Sequence, residues 1–150
     1  LLAQATGRAG RADRPGRAVL QTYAPDHAVM QALKAQDREA FLALELQGRD
    51  LMKMPPFGRL GALILASENT EALEMACRDL AAQVPNAEGI DVFGPADAPL
   101  SLIRGQRRKR FLIRADRERD LQAFLRVWLG RVRLSSAVRL TVDVDPYSFL

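Results

Sequence analysis

At 150 residues, 48% of them hydrophobic, the chain is long enough for one ordinary core or for a smaller domain with an appendage, and too apolar to be a disordered one. The lone cysteine, Cys77, excludes an internal disulfide and a thiolate zinc cluster; it reads as a small core residue in a reducing, cytoplasmic setting, and no run approaches the length of a membrane span or gives residues 1–17 a signal-peptide apolar stretch. The net charge of +4 is uneven: residues 104–119 carry eight basic against two acidic side chains, and residues 1–17 carry four arginines against Asp13, which leaves −5 for the remainder. Two basic zones on an acidic remainder favour a phosphate-bearing partner over a uniformly sticky surface.

In chain order, residues 18–23 read as a short strand stopped by Pro25. Asp26 is placed to cap a helix over residues 27–35 with Val29, Met30 and Leu33 on one face. Asp37 can cap a second helix to about Met52, burying Phe41, Leu44, Leu51 and Met52. Two prolines and a glycine between Met54 and Gly58 then mark the boundary, so the chain is expected to divide into residues 1–56 and 57–150. The first part does not make a convincing domain alone and is expected to continue a larger unit upstream.

Past the boundary, residues 60–66 form a continuous apolar run of strand length. Asn69 or Thr70 caps a helix to about Val84 with Leu73, Ala76, Leu80 and Val84 on one stripe. Residues 90–93 read as a second strand ended by Gly94 and Pro95, followed by a loop holding Pro99 and Gly105 and a third strand over residues 109–114. Asp116 can cap a last helix carrying Leu121, Phe124, Leu125, Trp128 and Val132, with Arg117, Arg119 and Gln122 at its start. Residues 138–144 alternate, with Val138, Leu140, Val142 and Val144 on one face. The order β-α-β-β-α-β predicts an α+β, ferredoxin-like domain with two helices on one face of an antiparallel four-stranded sheet.

In QATGRAGR, residues 4–11, Arg8 and Arg11 are spaced to emerge on one side of a helical turn. Two guanidiniums held so can stabilise charge developing on a nucleotide γ-phosphate, as an arginine finger does; a solvated basic turn is the plainer alternative. The octapeptide resembles motif VI of superfamily 2 helicases, Q-x-x-G-R-x-x-R, with Gln4, Gly7, Arg8 and Arg11 matching position by position. PGRAVLQTYAPDHAVMQAL, MPPFGRL, GPADAPLSLIRGQRRKRFLIR and TVDVDPYSFL extend the likeness: the whole chain resembles the C-terminal portion of the PriA family of bacterial replication-restart helicases.

The resemblance implies that residues 1–56 are the tail of the second, RecA-like helicase lobe and that the rest is the family's C-terminal domain. It implies ATP and Mg²⁺ bound in the full-length protein by the first lobe, with Arg8 and Arg11 reaching the γ-phosphate, and structural zinc upstream. The chain itself lacks a G-x-x-x-x-G-K-[ST] loop and an Asp-Glu pair for Mg²⁺, so alone it is expected to be inactive. The implied partners are forked and single-stranded DNA, the acidic tail of single-stranded DNA-binding protein near Arg117, Arg119 and Gln122, other primosome proteins and the machinery that loads the replicative helicase. Thr6 stands where the family more often has Ala. The family's G-x-Y-R and aromatic are replaced by Gly105-Gln106-Arg107-Arg108-Lys109-Arg110, so Arg104, Arg107, Arg108, Lys109 and Arg110 are expected to meet DNA through phosphates more than through stacking.

Other residues read as structural. His27 reads as packing or capping, Asp143 and Asp145 as a turn and not a metal pair, Pro55-Pro56-Phe57 as a hinge, and Trp128 as core. The alternative from another class is a stand-alone ferredoxin-like module of RNA or ribosomal type with a basic N-terminal arm.

Overall fold

The computed structural model describes residues 19–146, which divide into two units on either side of Gly48 and Arg49. The first unit holds helix α1, Ala28–Ala35, and most of helix α2, Arg38–Leu51. Residues 19–23 form no strand, contrary to the sequence expectation: Val19 and Tyr23 are exposed, and none of the described strands pairs with them. A β-prone run becomes a strand only when a neighbour takes its backbone groups. The cap of α1 is His27 rather than Asp26, its Nδ1 accepting from the Val29 amide at 3.3 Å. Asp37 does cap α2, accepting from Ala40 N at 2.9 Å. Phe41 and Leu44 are half-buried, but Leu51 and Met52, expected inside, are exposed.

The second unit runs β1 Gly58–Ser67, α3 Thr70–Ala82, β2 Ile90–Ile103, β3 Gln106–Asp116, α4 Leu121–Gly130 and β4 Arg139–Val144. Its four strands form one antiparallel sheet in the order β2-β3-β1-β4. Side chains alternate across a strand, so Leu63 and Leu65 of β1 and Phe111, Ile113 and Ala115 of β3 face one way. There they meet Leu73, Cys77 and Leu80 of α3 and Leu121, Leu125 and Trp128 of α4 in the core. The stripe at 121, 124, 125 and 128 is the helical period read in the sequence, and all four side chains are buried.

Trp128 anchors that core. It is fully buried, stacks edge-on against Phe111 at 5.5 Å, and its indole Nε1 donates to the Leu80 carbonyl at 2.9 Å. The bond places a polar atom inside the core without leaving it unsatisfied and ties α4 to α3. Burial pushes the Cys77 thiol above its usual range, in keeping with a core residue and not a reactive one.

Two boundaries differ from the sequence reading for non-local reasons. β2 continues past Gly94 and Pro95 to Ile103, with register irregularities between Phe93 and Ala96 and between Asp97 and Leu102. Proline lacks an amide donor, but β2 is an edge strand and Pro95 lies in its irregular stretch, where no ladder bond is lost. The cap of α4 is Asp120, whose carboxylate accepts from Ala123 N at 2.8 Å, and not Asp116. Asp116 is taken by Lys53, Nζ to Oδ1 at 2.6 Å. Gly58 is required where β1 begins, because a Cβ there would strike the carbonyl oxygens of Lys53 and Ala115.

Lys53 holds the Asp116 carboxyl below the usual carboxylate range, chiefly through their hydrogen bond. A folded-state value below the unfolded one adds stability at pH above the unfolded value and loses it as pH falls through the folded value. Lys53→Met should therefore reduce stability at pH 6, and the deficit should shrink towards zero between about pH 5 and pH 2 in urea unfolding. A deficit independent of pH would mean that the ion pair is not its source. Both side chains are more than a third exposed, so the effect is small.

Candidate nucleic-acid interface

β2 turns into β3 through Arg104 and Gly105, with φ of +50° and +81°, and Ile103 pairs directly with Gln106. Two successive positive φ values make a two-residue hairpin whose twist suits the flanking strands; glycine fits the second position without strain. The segment expected as a loop before the third strand is thus a hairpin with strand on both sides. Arg104 sits exposed at its tip and Arg107 exposed beside it.

The strand divides the predicted basic cluster by face. Arg107 and Lys109 share the side of Phe111 and Ile113, towards the helices, whereas Arg108, Arg110, Leu112 and Arg114 lie on the opposite side. Lys109 is engaged by Glu74 of α3 at 2.7 Å, and that hydrogen bond raises the ammonium above its usual range. Beside this pair a cleft of about 440 Å³ opens between α3 and the hairpin, lined by Glu74, Asp97, Ser101, Leu102 and Arg107 among others.

Cations at the other end of the sheet are matched to acids. Arg114 gives Nε and Nη2 to Asp91 Oδ2 at 3.2 and 2.7 Å, bonds the Met52 carbonyl, and lies 5.4 Å over the Phe93 ring. Arg59 bonds Asp145 through Nε and Nη2, and the other oxygen of Asp145 accepts from Leu60 N at 3.1 Å. Asp145 has a φ of +51° at the bend that follows the last strand, and its carboxylate ties that bend to Arg59 and Leu60 of β1. Arg104, Arg107, Arg108 and Arg139 have no acidic partner among the described residues. Arg139 was missed in the sequence: its alternation put it on the polar face of the final strand, but only pairing register shows what it stands beside.

The residues expected near the last helix do not form one cluster. Arg117 and Arg119 lie in the turn before α4, not within it. Arg119 reaches Glu88 at 3.6 Å, ahead of edge strand β2, while the Gln122 oxygen accepts from Arg59 of the interior strand β1 at 3.1 Å. Arg117 is exposed. Gln4, Gly7, Arg8 and Arg11 lie outside the described residues. Among the described residues no group of His, Cys, Asp and Glu is arranged to hold a metal ion, and no helix is long and apolar enough to cross a membrane.

Residues 50–147 match the family model described as Primosomal protein N C-terminal domain. The chain is similar to proteins named Replication restart protein PriA: 38% identical to that of Rickettsia felis, 39% to that of Haemophilus influenzae and 33% to that of Synechocystis. These matches cover 97 to 99% of this chain but only 23, 20 and 18% of those proteins, so the chain spans less than a quarter of their length. With the match covering the whole sheet and both helices packed on it, the chain belongs to the PriA family of replication restart proteins, whose C-terminal domain it carries.

Proposed function

We propose that this chain is the DNA- and partner-contacting end of an ATP-dependent 3′-to-5′ DNA helicase that recognises stalled or abandoned forks and restarts replication in the cytoplasm. The observation that carries the DNA contact is the β2–β3 hairpin, which presents Arg104 and Arg107 exposed and without an acid to neutralise them among the described residues. Two guanidiniums at a hairpin tip attract a phosphate backbone by charge, whatever the base sequence. The strand order β2-β3-β1-β4 with both helices on one face supports the ferredoxin-like assignment.

In the same reading, residues 1–56 end the second helicase lobe, and Arg8 and Arg11, with Gln4 and Gly7 shaping the turn, stabilise charge on the γ-phosphate of ATP. ATP and Mg²⁺ would supply the hydrolysis from the first lobe, and structural zinc would be held upstream. Partners would be forked and single-stranded DNA, single-stranded DNA-binding protein through Arg117, Arg119 and Gln122, other primosome proteins and the helicase-loading machinery. Family membership weighs against the stand-alone RNA or ribosomal module.

Replacing Arg104 and Arg107 together with alanine should weaken binding to forked DNA and reduce the slope of log Kobs against log salt by about one to two, since every phosphate left without its cation takes roughly 0.7–0.9 from that slope. An unchanged slope in a fluorescence anisotropy titration would remove the hairpin from the interface.

A further inference from the structure

β1 pairs with β3 on one side and β4 on the other, and at Ala66 the two registers coincide: Ala66 is opposite Arg108 in β3 and opposite Arg139 in β4. Residues in register across adjacent strands share a face, so two arginines flank one methyl group in a straight row across three strands. Their Cα atoms are two strand spacings apart, about 10 Å. Neither has an acidic partner among the described residues, although Arg114, Arg59, Lys53 and Lys109 all do. Glu68, two residues past Ala66, is exposed and pairs with neither.

Like charges so placed repel, and the sheet gives them no internal counter-ion. Accessibility on this face changes along β1: Leu60 and Ala62 are 1% and 5% exposed, whereas Ile64, Ala66 and the neighbouring Arg108 are half-buried and Arg139 and Thr141 of β4 are exposed. The unpaired row is therefore at the end of the sheet that solvent reaches. A small residue between long cationic side chains leaves room for an anion over Ala66, with a guanidinium from each side giving charge-assisted hydrogen bonds to its oxygens.

We infer that Arg108 and Arg139 together hold one backbone phosphate of DNA over Ala66, a site on the sheet face separate from the hairpin tip. It rests on the DNA-binding reading above and extends it, from a cationic tip to a track that continues onto the sheet. DNA is favoured over an acidic peptide because both cations are guanidiniums in register, whose paired donors suit the oxygens of a phosphate, and the chain belongs to a family of replication restart proteins.

The test uses the 150-residue chain and labelled oligonucleotides, single-stranded and duplex, at salt from about 50 to 200 mM. Arg108→Ala with Arg139→Ala should raise Kd about tenfold and flatten the salt slope by about one. Arg108→Lys with Arg139→Lys, which keeps charge and the bulk of the side chains, should retain the slope and guard against a folding defect in the alanine pair. Arg126→Ala, an exposed cation on α4, should change neither. A wild-type slope in the alanine pair, with Arg104→Ala and Arg107→Ala still weakening binding, would overturn this site and leave the hairpin reading standing. Absence of DNA binding by the unaltered chain would overturn both. Loss of polyglutamate binding in the alanine pair, with DNA binding intact, would also overturn it by assigning the row to an acidic peptide.

Discussion

Trp128→Ala should destabilise the C-terminal unit by ~3–5 kcal/mol, the cost of emptying a buried aromatic site. The side chain is completely enclosed, touches Phe111 and Phe124, and carries the one indole bond that joins α4 to α3. Against a total stability of ~5–15 kcal/mol for an ordinary domain, that loss takes up a large share of what holds the fold. The expected fall in Tm is roughly 15 °C or more by calorimetry. Trp128→Phe isolates the hydrogen bond: an aromatic ring remains but the Leu80 carbonyl loses its donor, for ~1–3 kcal/mol. A Trp128→Ala protein that melts with the unaltered chain would mean that the two helices are held to the sheet by something else.

The second large effect concerns the other end of the chain and follows from the proposed function. In the full-length protein, Arg11→Ala should lower DNA-stimulated ATPase by about a thousandfold or more, the range seen when an arginine finger is removed. Affinity for DNA should stay within about threefold of the unaltered protein, because the substitution removes an interaction that strengthens only as charge develops on the γ-phosphate. Steady-state hydrolysis and anisotropy on the same preparation separate the two quantities. Parallel loss of both would place Arg11 in DNA contact or in folding, and would remove its assignment to ATP.

Much of the second unit could be read directly from the chain. The apolar run at 60–66 became the central strand β1, and the spacing of Leu121, Phe124, Leu125 and Trp128 gave α4 its buried face. Those signals are local: period and hydrophobicity are properties of neighbouring residues. What escaped the sequence was decided at a distance. Asp116 and Asp120 both precede the α4 stripe; Asp120 caps the helix, whereas Asp116 ends β3 and is bonded by Lys53, 63 residues before it. Gly94 and Pro95 look like the end of a strand, and fail to end it because β2 lies on the sheet edge.

The candidate site divides along the same line. That residues 104–110 are basic is plain in the sequence, and that a two-residue turn makes them a hairpin follows from the backbone at Arg104 and Gly105. Alternation then sends Lys109 to Glu74 and Arg108 to the opposite face, where register alone brings it into line with Arg139. Arg119 and Gln122 are close in sequence, yet Arg119 engages Glu88 ahead of edge strand β2 and Gln122 engages Arg59 of the interior strand β1. Charge was legible; the pairing that decides which charges stay available was not.

The hairpin end of the sheet is proposed above as a phosphate-binding surface. Its most direct test is the affinity of the unaltered chain for forked DNA measured across a salt series. Four cations there lack acidic partners among the described residues, Arg104, Arg107, Arg108 and Arg139, and if they meet about three phosphates the slope of log Kobs against log salt should be close to −2 to −3. A slope near zero, or no binding at low salt, would contradict it.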